Sequence, residues 1–165
     1  MYSEWYEHIS APLRNRPAAV RTLNALDKGL VAIIAVGYIA AIIWMLVCAD
    51  ARVGRFIAVP AAGFVALSAV RAVLNLPRPY EAAGIDPLIK KDTQGKSCPS
   101  RHIFSAFVIA FALLWICVPA GIAAIVLGCI VCYCRIVGGV HFPRDVVAAV
   151  LFAAACAAIG FLLIP

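Results

Sequence analysis

Residues 29–49 run for 21 positions without a charge. As a helix rising 1.5 Å per residue, that run is long enough to cross the apolar core of a bilayer. Inside hydrocarbon the backbone must satisfy its own hydrogen bonds, so a spanning segment is a helix or part of a closed barrel. An unbroken apolar run without period-two alternation selects the helix. Four more runs follow. Residues 56–76 are uncharged for 15 positions before meeting Arg71. Residues 103–118 form a third run, and Pro119 can open the next helix, since proline is accepted at the first helical position. The fourth run ends at Val137, before Gly138-Gly139, and the fifth covers 146–164. The chain is therefore expected to be all-α: a polytopic membrane bundle of five transmembrane helices. Composition agrees, with 65% hydrophobic and 13% charged residues, about half the charge of a soluble domain. A soluble fold of 165 residues has no interior large enough to hide that much apolar surface.

The remainder divides into an N-terminal segment, 1–28, and one long polar loop, 77–100, inside a transmembrane domain of 29–165. Tyr2, Trp5 and Tyr6 suit a membrane interface, and Val20, Leu23, Leu26 and Leu30 recur at near-helical spacing among Arg14, Arg16 and Arg21. Residues 1–28 are thus expected to form an amphipathic interfacial helix, with no signal peptide. The loop holds Pro77, Pro79, Pro87, Lys90, Lys91, Gly95 and Lys96. A loop this long in so small a protein points to function, although the lysines alone read as a solvated face. Seven cysteines, an odd count, give no disulfide framework. Cys129 and Cys132 lie inside an apolar run and read as packing.

Five spans place the N-terminus, the end of span two, the start of span three, the end of span four and the start of span five on one membrane face. The ionisable residues at those ends are Arg71, Arg78, Arg101, His102, Arg135, His141, Arg144 and Asp145. A charge at the centre of a membrane helix costs about 2.5–3.5 kcal/mol, less near the ends. Their convergence asks for a compensating ligand, and a set rich in arginine asks for an anion such as phosphate. Arg71 and Arg78 are seven apart, nearly two helical turns, which would put them on one helix face. Ser100 stands where an N-cap belongs, and the first N–H groups of the helix behind it form an anion site. His141 and Asp145 are four apart, so one helical turn would let the carboxylate hold the far ring nitrogen. That is what a histidine nucleophile or base needs.

Three stretches carry a resemblance. Arg71-x6-Arg78-Pro79, Pro99-Ser100-Arg101-His102 and Cys134-Arg135-x5-His141-x3-Asp145 resemble, in order, the K-x6-RP, PSGH and SR-x5-H-x3-D motifs of the type 2 phosphatidic acid phosphatase family. They cover 75 of 165 residues, from Arg71 to Asp145. The resemblance implies a phosphohistidine mechanism. His141 would attack phosphorus, Asp145 would orient it, and His102 would protonate the leaving group. Arg71, Arg78, Ser100, Arg101 and Arg135 would bind the phosphate oxygens. It implies no metal and no cofactor. Three positions depart from the motifs: Arg71 for lysine, Arg101 for glycine, and Cys134 for serine, which loses a hydroxyl donor.

The resulting expectation is a multi-pass membrane phosphatase that hydrolyses a lipid phosphate monoester or diphosphate, with a polyprenyl (di)phosphate favoured over phosphatidate or phosphatidylglycerophosphate. A phosphotransferase and a non-catalytic lipid-binding protein are the competing readings. The bilayer and the lipid phosphate are the expected partners. The net charge of +6 is assigned to them and not to nucleic acid. The basic residues before the first span would put the site in the cytoplasm by the positive-inside rule, whereas relatives of this type point it outward. The expected placement is the cell membrane with the site extracytoplasmic.

Overall fold

Helices are the only regular secondary structure in a computed structural model that describes residues 1–163; Ile164 and Pro165, the end of the expected fifth span, lie outside the described residues. In chain order the helices are α1 (Tyr2–Arg14), α2 (Pro17–Val47), α3 (Val53–Leu74), the short α4 (Pro79–Ala82), α5 (Arg101–Ile116), α6 (Val118–Val137) and α7 (Pro143–Ala157). A π-helical stretch, Ala158–Leu163, extends α7. Four stretches are long and apolar enough to cross a membrane: Pro17–Val47, Val53–Ala82, Val118–Val137 and Pro143–Leu163. The fifth apolar helix, α5, has 16 residues.

A helix of 16 residues is about 24 Å long, short of a bilayer's apolar core. Its position explains why it need not be longer. α5 is the central helix, packed against α2, α3, α6 and α7. Ile103, Phe104, Ala106, Phe107 and Val108 are buried there against Leu30 and Ile34 of α2, Leu67 of α3, Val131 of α6, and Ala149 and Ala153 of α7. The outer faces are apolar and uncovered by protein, with Val36, Ile39, Val65, Val126 and Leu151 all exposed. That is the pattern of a bundle whose solvent is lipid.

Two boundaries differ from the sequence expectation. The N-terminal segment is not one helix to Lys28. It breaks at Asn15–Arg16, Pro17 starts α2, and residues 17–28 continue unbroken into the apolar run. Proline at a first helical position supplies that start. The second difference is at the end of α3. The helix stops at Leu74, and Asn75 takes a left-handed conformation (φ 39°) with its N–H on the Arg71 carbonyl. Pro77 lies two residues on and bars the α conformation for Leu76 before it. Arg71 and Arg78 therefore do not share a helix face. Arg71 is in the last turn of α3, and Arg78 is the N-cap of α4 after the chain has turned.

α1 is bolted to the site-bearing end. The fully buried Tyr6 donates its hydroxyl to the Val137 carbonyl at 3.2 Å and accepts the Leu88 N–H at 3.1 Å. Arg14 holds the Asp86 carboxylate at 3.1 Å and the Asp86 carbonyl at 2.7 Å. Gly139 makes room for this contact. Its φ is +73°, and a Cβ there would lie 2.6 Å from the Tyr6 hydroxyl oxygen. Tyr6→Phe orphans a buried N–H and carbonyl, so it is expected to destabilise the protein by about 1–3 kcal/mol. Thermal unfolding in detergent checks this, and a wild-type midpoint would show that the hydroxyl contributes nothing.

Candidate active site

The residues that matter come from five helix ends. α3 contributes Arg71 from its last turn, and the turn into α4 contributes Arg78. α5 begins at Arg101-His102 behind the N-cap Ser100. α6 ends with Arg135 in its last turn, and the loop to α7 carries His141. One cleft of about 200 Å³ is lined by Arg71, Arg78, Lys91, Thr93, Arg101, His102, Arg135 and His141. No carboxylate lines it. Six of the eight expected residues are thus gathered round one space. Ser100 and Asp145, both fully buried, stand behind its wall.

Arg71 and Arg78 are held by carbonyl groups, which fix them without neutralising them. Arg71 donates through Nη1 to the carbonyls of Pro99 and, at 3.2 Å, Ser97, while its buried Nε has no partner. Arg78 donates through Nε to the Gly95 carbonyl at 3.2 Å and through Nη1 towards the Val140 carbonyl at 3.5 Å. Glu81 fixes this turn by accepting the N–H of Arg78 at 2.8 Å and of Gly95 at 2.9 Å. Two adjacent helix starts, those of α5 and α7, add the partial positive charge of their unpaired N–H groups. Ser100 occupies the N-cap as expected, but its buried hydroxyl caps nothing and has no hydrogen-bond partner.

His141 and Asp145 meet where the chain enters α7. His141 precedes the helix, Phe142 is its N-cap, and Pro143 takes the first position. Asp145 then falls in the first turn, and its Oδ2 accepts the Phe142 N–H at 3.1 Å and the Ser97 hydroxyl at 2.5 Å. The same oxygen is 3.6 Å from Nδ1 of His141. That is slightly longer than a hydrogen bond, and the buried Nδ1 has no other partner. With Nδ1 turned to the carboxylate, Nε2 is the nitrogen left for the cleft. His141 lies outside the membrane-spanning helices, and burial draws its imidazole down to about 4, against the opposing pull of Asp145. At neutral pH the ring is uncharged and its lone pair is available. Arg144 points outward, with its guanidinium 4.7 Å over the Phe142 ring.

Three features were not foreseen. Lys91, expected on a solvated loop face, lines the cleft, and burial followed by the charge of Arg135 lowers its pKa. Ser97, named in no motif, grips Asp145. Asp27, on the first span, lies 2.6 Å from Nε of Arg135, with 2% of the arginine side chain and 4% of the aspartate exposed. A signal for Asp27 was present. Leu23, Asp27, Leu30 and Ile34 are the buried positions of that stretch of α2 and recur at helical spacing, so an acid sits in an apolar register. Cys134 is buried with Leu23, Leu88, Ile89, Val137 and Val140 and takes no place in the cleft lining. Among the described residues, no three His, Cys, Asp or Glu side chains are grouped to hold a metal ion.

Comparison with solved structures finds the same fold at low identity. Aquifex aeolicus LpxE superposes with a TM-score of 0.72 and 21% identity, over 95% of this chain and 92% of that one. A PAP2 type phosphatidylglycerolphosphate phosphatase from Bacillus subtilis superposes with a TM-score of 0.67 and 19% identity, over 95% of this chain and 83% of that one. No curated protein matches the sequence. The family model of the PAP2 superfamily matches residues 52–165, which includes all three motifs and every helix end that lines the cleft. On that match, joined to the fold, this chain belongs to the PAP2 superfamily.

Proposed function

We propose that the protein is a membrane phosphatase that removes phosphate from a lipid by way of a phosphohistidine. The observation that carries this reading is the cleft itself. Five cationic side chains and two histidines surround about 200 Å³ with no lining carboxylate, at the headgroup end of an apolar bundle. Such a space is complementary to a phosphate, and more so to the charge that spreads over its oxygens during transfer.

In the proposed first step, Nε2 of His141 attacks phosphorus and the bond to the lipid oxygen breaks, while His102 gives its proton to that oxygen. Asp145 accepts the Nδ1 proton in a hydrogen bond and so steadies the cation that forms on the ring. In the second step His102 takes a proton from water, the water oxygen bonds to phosphorus, and the nitrogen–phosphorus bond breaks to free His141. Arg71, Arg78, Arg101 and Arg135 hold the three non-bridging oxygens, with Lys91 added to the set and Ser100 as a further hydroxyl donor. The side chains supply the positive charge, and the reading invokes no metal.

A polyprenyl phosphate or diphosphate is the favoured substrate, because so small a bundle offers little surface to read a large headgroup. The Bacillus subtilis structural neighbour is described as a phosphatidylglycerolphosphate phosphatase, which makes phosphatidylglycerophosphate the second choice and phosphatidate the third. A phosphate-release screen of purified protein in micelles over these lipids tests the reading. Release from at least one supports it. Release from none, or transfer of the phosphoryl group to another lipid without free phosphate, overturns it.

We place the site at the outer face of the cell membrane. Cys98 in the loop is a poor reporter of sidedness, because burial pushes its thiol up to about 11. Gln94 is exposed on the same loop. In a Gln94→Cys protein whose exposed Cys48 and Cys117 are changed to serine, a membrane-impermeant thiol reagent is expected to label intact cells. Labelling only after lysis would place the site inside.

A further inference from the structure

Building on the phosphate-binding role given to Arg135, we propose that Asp27 is a positioning residue that holds Arg135 to the phosphate cleft from the first transmembrane helix. Asp27 lies on α2, before the part of the chain matched by the family model, which begins at residue 52. No motif accounts for it, and it is one of the few buried acids in the protein.

The geometry has three parts. First, Asp27 Oδ1 lies 2.6 Å from Nε of Arg135 as a close ion pair, while neither Nε nor Nη1 of that buried guanidinium makes an aligned hydrogen bond. The pairing anchors the guanidinium by charge and leaves buried N–H donors unspent for a ligand. Second, Arg135 shares the cleft lining with Arg71, Arg78, Arg101 and Lys91. Like charges gathered round one small space repel one another, strongly where water is scarce. Third, there is space beside the guanidinium. A second cavity of about 420 Å³ adjoins the cleft and shares His102, Arg135 and Lys91 with it. That cavity is lined by Asp27 itself with Lys28, Lys90 and Lys91, so without the Asp27 charge the Arg135 guanidinium has room to move and no carboxylate in either lining to fix its place.

A purely stabilising role explains the pair less well. Burying two ions loses their hydration, and the attraction returns roughly what was lost. Its firm consequence is geometric: a fixed arginine. Fixing matters because displacing a binding group by about 1 Å can slow a reaction roughly 100-fold.

A double-mutant cycle tests the proposal, with Asp27→Ala, Arg135→Ala and the double variant measured on whichever lipid phosphate the wild-type protein hydrolyses. The affinity for inorganic phosphate, followed by calorimetry, gives a second cycle that does not depend on the lipid. Asp27→Ala is expected to lower kcat/KM by about 10–100-fold. In the Arg135→Ala background the same change is expected to alter kcat/KM by less than about twofold, since a residue acting through another adds nothing once its partner is gone. Asp27→Glu, which keeps the charge, is expected to recover part of the loss, whereas Asp27→Asn, of the same shape, is not. The Asn and Glu variants keep the test open should the alanine variant fold poorly. Full multiplication of the two single losses, or an Asn variant with wild-type kcat/KM, overturns the positioning role. An Arg135→Ala protein with wild-type kcat/KM and phosphate affinity instead overturns the role of Arg135 itself.

Discussion

Replacing His141 with alanine or asparagine is expected to abolish phosphate release from every lipid phosphate the wild-type protein accepts. The loss is expected to be about 10⁴-fold or greater, the scale at which removal of a covalent nucleophile acts in other enzymes. The reason lies in what the ring can do where it stands. It is 2% exposed and uncharged at neutral pH, and its Nδ1 faces Asp145 at 3.6 Å. The asparagine variant keeps a polar side chain in the same buried space, so loss of activity with an unchanged thermal midpoint isolates the chemistry from the fold. The assay is phosphate release against purified lipid in micelles, and residual activity within tenfold of wild type would contradict the assignment.

His102→Ala is expected to produce the second-largest effect, and a selective one. His102 lines the cleft from the first turn of α5, across from His141. A general acid contributes about 10²–10⁴-fold when the leaving group is a poor one. Lipid alkoxides are poor leaving groups and need that proton; a nitrophenolate does not. The variant is therefore expected to lose about 10²–10⁴-fold on an alkyl lipid phosphate and far less in the first step on nitrophenyl phosphate. With the aryl substrate a rapid release of nitrophenol followed by slow turnover is expected, because His102 also activates the water of the second step. Equal losses on both substrates, without such a burst, would mean that His102 does not handle the proton of the leaving group.

Much of this architecture could be read from residue order. The helix ends of the expected third and fourth spans, and the start of the fifth, fall within a few residues of the observed ones, because an uncharged apolar run has one favourable fate in a bilayer and Gly138-Gly139 stops α6. The grouping of the candidate site residues was legible for a related reason. Charge is expensive near a membrane, so the ionisable residues left at helix ends are few, and six of them line one cleft. What stayed hidden depends on contacts between distant segments. Asp27 and Arg135 are an ion pair across 108 positions of chain, and neither predicts the other locally. Ser97 reaches Asp145 across 48. Lys91 has ordinary loop neighbours in sequence, and only the folding of the loop back over the helix ends brings it to the cleft. Arg71 and Arg78 show that a right outcome can rest on a wrong geometry. A single helix face was expected to unite them, and a turn through Asn75 does so instead.

The central claim is a covalent bond between phosphorus and His141, and the stereochemical course at phosphorus tests it most directly. A thiophosphate monoester made chiral with oxygen isotopes can be hydrolysed and the configuration of the product determined. Two successive in-line displacements, first by His141 and then by water, each invert phosphorus, so the account predicts overall retention. Overall inversion would mean that water attacks the substrate directly, with the two histidines serving as acid and base alone.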